Sequence, residues 1–412
     1  VKLCQKEGIS MAQDSKHFKY LLIGGGMAAD KAAAGIRTVD QTGTLGIISA
    51  DSDAPYARPA LSKKLWVDPD FKETDTDFKT AAEYKAEIFL NTTVTAIDPQ
   101  AHTVTTADGT HFSYDKLLLA TGSQALQIPG PASDLAIALR SKADYRKIRA
   151  FSGQHKQVLV VGSGYVGSEI AAGLIQNDTQ VTMVISGKRI YEDRFPGYLS
   201  EAYQQKYLDA GIKILTTAYA KNYEVKDGKV ELHLASGKTL VGDGLVLGIG
   251  GRSNFKLGKA AGLATDHDGI IVDEQLKTSA PDIWAAGDII SYPDKILGRQ
   301  SSAHVNHAVK SGMIAGKSMA GAAVTYDYTP SFYSWVFDIS WDALGHISSQ
   351  MQMYAEKLPG NKSVVYYFDE HGLIQGILSW NSKVSLNHLR HLLKKKPTLS
   401  QLQQVLPLEK VE

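Results

Sequence analysis

Apolar runs that end in glycine occur twice along this chain, each followed by a segment with helical composition. The first is "YLLIGGGMAADKAAAGI": a short apolar strand, a glycine turn and an alanine-rich helix. "TLGIIS" reads as the next strand and completes a β-α-β unit. Residues 76–90 carry a helical pattern. "TTVTAIDPQAHTVTTADGTHFSYDKLLLATGS" alternates apolar and polar positions, with turn signals at "DPQA" and "ADGT". It predicts antiparallel strands feeding a buried strand, "KLLLATG". The pattern then restarts with "QVLVVGSGYVGSEIAAGLIQND", "QVTMVI" and "YEVKDGKVELHLASGKTLVGDGLVLGIGGR". The period is that of a domain, so the chain carries an internal duplication of one strand–turn–helix plan.

A third composition begins near residue 326, with aromatic strands such as "SFYSWVFDISW" and "SVVYYFD". "SLNHLRHLLKK" follows, with Leu386, Leu389 and Leu393 on one helical face and Ser385 at the N-cap position. A helix is also expected over 304–320. The expected class is α/β: two Rossmann-like domains plus a C-terminal α+β domain. The expected division is 16–140 with 253–325, then 141–252, then 326–412.

Composition narrows the function. At 412 residues the chain is too long for one ordinary core. A net charge of +1 argues against nucleic acid as the main partner. The "KKK" run at 394–396 reads as a solvated helix end that suits the helix dipole. No apolar run reaches membrane-spanning length. The opening "VKLCQKEGISM" lacks the apolar core of a signal peptide and reads as a frayed leader, with Met11 as a start. Cys4 is the only cysteine, which excludes an internal disulfide and a dithiol relay, and points to the cytoplasm.

The glycine turns point to dinucleotides. Gly24, Gly26 and Ala29 fit G-x-G-x-x-G/A, and Gly162, Gly164 and Gly167 meet it with glycine at all three places. The first glycine permits the tight turn, the second admits a pyrophosphate against the backbone, and the third lets helix and strand pack. Tyr165 and Val166 then open the second helix, whose unpaired N–H groups favour an anion. An acid that reads ribose is expected after the second strand. In the first unit Asp51 is preferred over Asp53. The second unit has Ile185 and Ser186 there, with Lys188 and Arg189 just after. Those groups accept a 2′-phosphate and tilt the site toward NADP(H); a solvated basic loop, neutral between NAD and NADP, fits the same residues.

Together "LLLATGS", "GIGGRSN" and "GIIVDEQLKTSAPDIWAAGDI" resemble, in order and over nearly the whole chain, the strand-end motifs of the two-dinucleotide-binding-domain flavoproteins, the pyridine nucleotide-disulfide oxidoreductase superfamily. The loop "PYARPALSKKLW" and the C-terminal "GILSWN" look like apoptosis-inducing factor and the reductases that feed ferredoxin-type partners. The resemblance implies FAD in the first unit and NAD(P)H in the second. It places Gly122 and Gly250 at strand ends, Asp288 on the flavin's ribityl chain, and Arg58, Lys63 and Arg140 on FAD. It implies that Glu169 pairs with Lys63 beside the flavin, that His304 starts the helix facing its ring, and that Val94 lies at the adenine. An aromatic gate, usually Trp, falls on Tyr333, with Ala303 and Trp335 where the family often has acids.

The loop 52–66, "SDAPYARPALSKKLW", fits this picture. Its two prolines stiffen it before a ligand arrives, and Arg58 and Lys63 bring charge to a diphosphate and an electron-rich ring. The expected function is an FAD-dependent NAD(P)H oxidoreductase that passes a hydride to FAD and then electrons to an iron–sulfur protein, a quinone or oxygen. The rival is a slow, redox-sensing flavoprotein of the apoptosis-inducing factor type. A homodimer is compatible with either. His304 and His307, three apart, lack an acid or cysteine at ligand spacing, so no metal is expected.

Overall fold

The computed structural model describes residues 16–412. The leader reading, Cys4 and Met11 lie outside the described residues. The first sheet runs Glu87–Phe89, Leu45–Ile48, Lys16–Ile23, His111–Leu119, Thr103–Thr106, Val94–Asp98. Its long strand His111–Leu119 pairs with Lys16–Ile23 on one side and shares its other side between two partners. The N-terminal half closes the antiparallel hairpin through Thr103–Thr106, while Leu117, Leu118 and Leu119 take Ile283–Ala285 alongside in parallel. Those leucines are almost fully buried, as a strand covered on both faces requires.

The duplication is visible in the second sheet. It runs Lys213–Leu215, Thr179–Val184, Lys156–Val161, Gly244–Leu247, Ala136–Ala138, all parallel. A separate antiparallel meander of Ala220–Lys226, Lys229–Leu234 and Thr239–Gly242 repeats the hairpin of the first unit. The strand Ala136–Ala138 falls inside the segment 16–140 assigned above to the first unit, yet it pairs with Gly244–Leu247. It is to the second sheet what Ile283–Ala285 is to the first. Three-residue strands carry too little pattern to reveal which sheet they join.

One other expectation is corrected, and another holds in position only. Of 76–90 only Thr80–Tyr84 is helical; Lys85 turns left-handed at φ 49°, and Glu87–Phe89 becomes the edge strand beside Leu45–Ile48. Tertiary pairing overrides local propensity there. Ser385 does precede the helix Leu386–Lys395, but its side chain makes no capping bond. The third region is an antiparallel sheet of order Ser331–Val336, Ile339–Gly345, Ile374–Trp380, Lys362–Phe368, Gln352–Leu358, Glu409–Val411, with Trp341 and Trp380 buried.

Two helices position the site. Met27–Arg37 and Val305–Met319 run parallel in backbone contact. A β-carbon at Gly312 would lie 2.2 Å from the Ala28 carbonyl oxygen, and one at Gly316 2.0 Å from that of Ala32. Gly35 answers from the other side against Met313 O at 2.3 Å. Small residues at these crossings let both helix N-termini open on one cleft. Gly316→Val should therefore force the pair apart at a cost of about 1–3 kcal/mol, read as a lowered midpoint in thermal unfolding; an unchanged midpoint would show that the contact is not held.

Candidate functional site

A cleft of about 1220 Å³ runs between the two glycine turns. Its size exceeds that of most single small-ligand pockets. Gly24 (φ +114°) and Gly162 (φ +112°) make the two turns in the same way. A β-carbon at Gly24 would meet Ala120 O at 2.2 Å, and one at Gly162 would meet Gly248 O at 2.3 Å. The second glycines face the other way: among the described residues nothing lies within 4 Å of a β-carbon at Gly164, and at Gly26 only Arg58 Nε at 3.9 Å. Each leaves room for a ligand against bare backbone. Gly167 would strike Gly162 O at 2.4 Å, whereas Ala29 fits its buried place in the first unit.

Among the described residues, five basic side chains (Arg58, Lys63, Arg140, Arg194, Lys256) and three acidic ones (Asp51, Glu169, Asp288) line the cleft. The excess is positive and suits phosphates. Asp51 lines it, 3.1 Å from Arg58, with the Tyr56 hydroxyl donating to the same carboxylate. Asp53 instead pairs with Arg146 at 2.7 Å outside the lining. Arg140 reaches Asp288 at 3.1 Å, and the Ser123 hydroxyl donates to that carboxylate at 2.7 Å. Gly122 (φ +65°), Gly250 (φ +103°), Val94, Tyr165, Val166, His304 and Tyr333 all line the cleft.

Lys63 and Glu169 meet at 2.7 Å, their side chains only 11% and 2% exposed. Burial of such a pair demands extra donors. Ser62 Oγ donates to one Glu169 oxygen at 2.5 Å, and Ser334 Oγ to the other at 2.6 Å. The Lys63 ammonium also lies 5.6 Å over the Tyr333 ring. The loop that carries Lys63 is pinned by Trp66, which seats on Gly173 and donates through Nε1 to Leu61 O at 2.7 Å. Sequence reasoning missed Ser62, Ser334, Trp66 and the half-buried Arg194, because single residues whose partners lie far along the chain carry no motif.

His304 stacks on Phe332 at 4.7 Å and meets Tyr165 edge-on at 5.5 Å. Burial pushes its imidazole down to about 4, against the opposing pull of Asp288. The Tyr165 hydroxyl is buried without a hydrogen-bond partner among the described residues, a polar atom left for a ligand. Burial raises its pKa well above the usual range. His307 is fully buried, its ring nitrogens taken by the Tyr326 hydroxyl at 2.8 Å and Gly287 O at 3.2 Å, so it has no nitrogen to give a metal.

Ser186, Lys188 and Arg189 lie outside the cleft lining, with Ser186 and Lys188 exposed. A carboxylate that the strand-end reading did not include is nearby: Glu192 accepts the backbone N–H groups of Lys188 at 2.8 Å and Arg189 at 3.1 Å. It comes six residues after Ser186, beyond the strand end where an acid was sought. The expected basic cradle thus has an acid folded into its turn, which opposes a 2′-phosphate.

A family model described as pyridine nucleotide-disulphide oxidoreductase matches residues 18–312. Over 94% of its length the chain is 30% identical to a monodehydroascorbate reductase of Pisum sativum, covering 96% of that protein. It is 28% identical to apoptosis-inducing factor 1 of Dictyostelium discoideum, over 95% of this chain and 81% of that one. A solved ferredoxin reductase from Rhodopseudomonas palustris superposes with a TM-score of 0.82 at 26% identity, covering 93% of this chain and 96% of that one.

Burial pushes the pKa of His307 down to about 4, whereas the unfolded chain takes up that proton near the ordinary 6.5. Between those values the unfolded state binds more protons, so stability falls as pH drops from about 6.5 toward 4 and levels off below. The loss attributable to His307 is at most about 3 kcal/mol. Denaturant midpoints at pH 7 and pH 5 should differ less for His307→Gln than for the parent chain; equal differences would contradict the assignment.

Proposed function

Because the chain belongs to the pyridine nucleotide-disulphide oxidoreductase family, we propose that its cleft holds FAD at the first glycine turn and NAD(P)H at the second, and that electrons leave to an external one-electron carrier. It is an FAD-dependent NAD(P)H oxidoreductase. With Cys4 as its only cysteine it has no dithiol to relay electrons, which the family's name would suggest. The observation that carries the reading is the buried Lys63–Glu169 pair in the cleft between the two turns. The division follows the sequence reading, with Ala136–Ala138 moved to the nucleotide unit.

The residues present fit such a cofactor: two bare-backbone turns, a positive excess and an orphaned Tyr165 hydroxyl. Bound FAD would supply a ring that accepts two electrons together and releases them singly. The chain's own groups do the rest. Gly24, Gly26 and the N-terminus of Met27–Arg37 hold a diphosphate, with Arg58 beside them. Asp288, fixed by Arg140 and Ser123, would orient the ribityl hydroxyls. Lys63 presents N–H donors to the ring, and Glu169, steadied by Ser62 and Ser334, keeps that charge neutralised where water is scarce. Phe332, Tyr165 and Tyr333 line the cleft and would exclude water from a bound nicotinamide.

For the acceptor, similarity to a monodehydroascorbate reductase and to a ferredoxin reductase supports a small organic radical or a ferredoxin-type iron–sulfur protein. Quinone and oxygen are the comparisons. No helix of the described residues is long and apolar enough to cross a membrane. The cytoplasmic assignment rests on the lone cysteine, and a homodimer on the resemblance.

The purified protein should show a flavin spectrum that NADH or NADPH bleaches without air, and that recovers fastest with monodehydroascorbate or ferredoxin. A colourless protein that takes up no FAD contradicts the reading; slow reoxidation by every acceptor favours the redox sensor. Lys63→Met should slow bleaching about tenfold or more while FAD stays bound. Its stability cost should fall below the ~3–5 kcal/mol of a broken buried pair, since both serines still donate to Glu169. Glu192→Gln should shift the NADPH-to-NADH ratio of bleaching rates about fivefold or more toward NADPH; an unchanged ratio would place the 2′-position elsewhere.

A further inference from the structure

Asp288 follows Gly287, which turns with φ +77°, its β-carbon position 3.1 Å from the Ala28 side chain. The Gly287 peptide is held at both polar atoms by the helix Val305–Met319. Its N–H donates to Ser311 Oγ at 3.0 Å, and its carbonyl accepts from His307 Nε2 at 3.2 Å. Ser311 in turn donates to the His307 carbonyl at 2.6 Å. The Gly287 carbonyl can only accept, which puts a proton on His307 Nε2, and the neutral ring then accepts at Nδ1 from the Tyr326 hydroxyl at 2.8 Å. Tyr292 covers one ring face at 4.6 Å and Tyr326 meets it edge-on. On the far side, Ser253 Oγ donates to the Asp288 carbonyl at 2.9 Å.

We propose that His307 is a positioning residue for the flavin site: with Tyr326 and Ser311 it clamps the Gly287 peptide and so aims the Asp288 carboxylate into the cleft. This rests on the assignment of Asp288 to FAD made above. The geometry favours a specific role over general packing. An apolar residue would fill the same space beside Tyr292, but would leave the Gly287 carbonyl, in a buried residue, without the imidazole donor. Burial keeps the imidazole neutral at physiological pH, so the clamp adds no charge behind Asp288. The pair also ties the cleft to the segment around Tyr326, where the chain leaves for the third sheet.

The test is a double-mutant cycle on the FAD dissociation constant of the apoprotein, read by flavin fluorescence quenching, with visible circular dichroism of the bound flavin as a second readout. His307→Leu should weaken FAD about tenfold in the parent chain and less than about twofold in an Asp288→Asn background, because it acts through that carboxylate. His307→Gln, which keeps an N–H donor, should recover most of the affinity and the parent dichroism. Should His307→Leu fail to fold, Ser311→Ala carries the same cycle. Equal losses in both backgrounds, or a His307→Gln chain as weak as His307→Leu, would overturn the clamp and leave the proposed function standing. An Asp288→Asn chain that binds FAD as tightly as the parent overturns the Asp288 assignment and the clamp with it. A parent chain that binds no FAD overturns the functional reading itself.

Discussion

A charged pair taken out of water is the constraint around which this molecule is arranged. Lys63 and Glu169 are costly to bury, and the structure meets that cost by drawing partners from three places. Lys63 comes from the loop of the first unit, Glu169 from the helix of the second, and Ser334 and Tyr333 from the first strand of the third. A shift of any of the three removes a partner from the buried pair. The pair therefore acts as a joint as well as a chemical group. The loop around it is built to match: prolines limit its freedom, Tyr56 is buried under it, and Trp66 seats on Gly173 of the partner helix.

The cleft itself depends on backbone approaching backbone. At Gly24 against Ala120, Gly162 against Gly248, and Gly312 and Gly316 against Ala28 and Ala32, a single methyl group would not fit. These contacts bring two helix N-termini and two turns to one cavity, where their partial positive charges add. The side chains supply what the backbone lacks. Three cation–carboxylate pairs line the cavity, and Arg194 and Lys256 add charge beyond them. A site of this kind is suited to holding charged, flat ligands and to excluding water, and leaves bond-making to the ligands.

The second unit shows how one carboxylate can alter a reading. Its strand end carries no acid, and the exposed Ser186 and Lys188 looked like a phosphate cradle. Glu192 returns through the turn to cap the N–H groups of Lys188 and Arg189. Only its side chain makes that return, so no linear motif announces it.

Much was determined by sequence alone, because it rests on local rules. The glycine spacings, the flanking strands and helices, the duplication and the motif around Asp288 are short-range patterns, and they led to the cleft, which Asp51 lines and Asp53 does not, and, through resemblance, to the Lys63–Glu169 pair. Tertiary structure decided what depends on neighbours distant in the chain. It made Glu87–Phe89 a strand where a helix was expected, since an edge partner outweighs propensity. It gave Ala136–Ala138 to the second sheet, set Ser62 and Ser334 on Glu169, and put His307 under Gly287. A hydrogen bond between residues 165 apart, as between Glu169 and Ser334, leaves no periodicity to read. Only folding brings such groups within reach, and burial is what gives the contact its value.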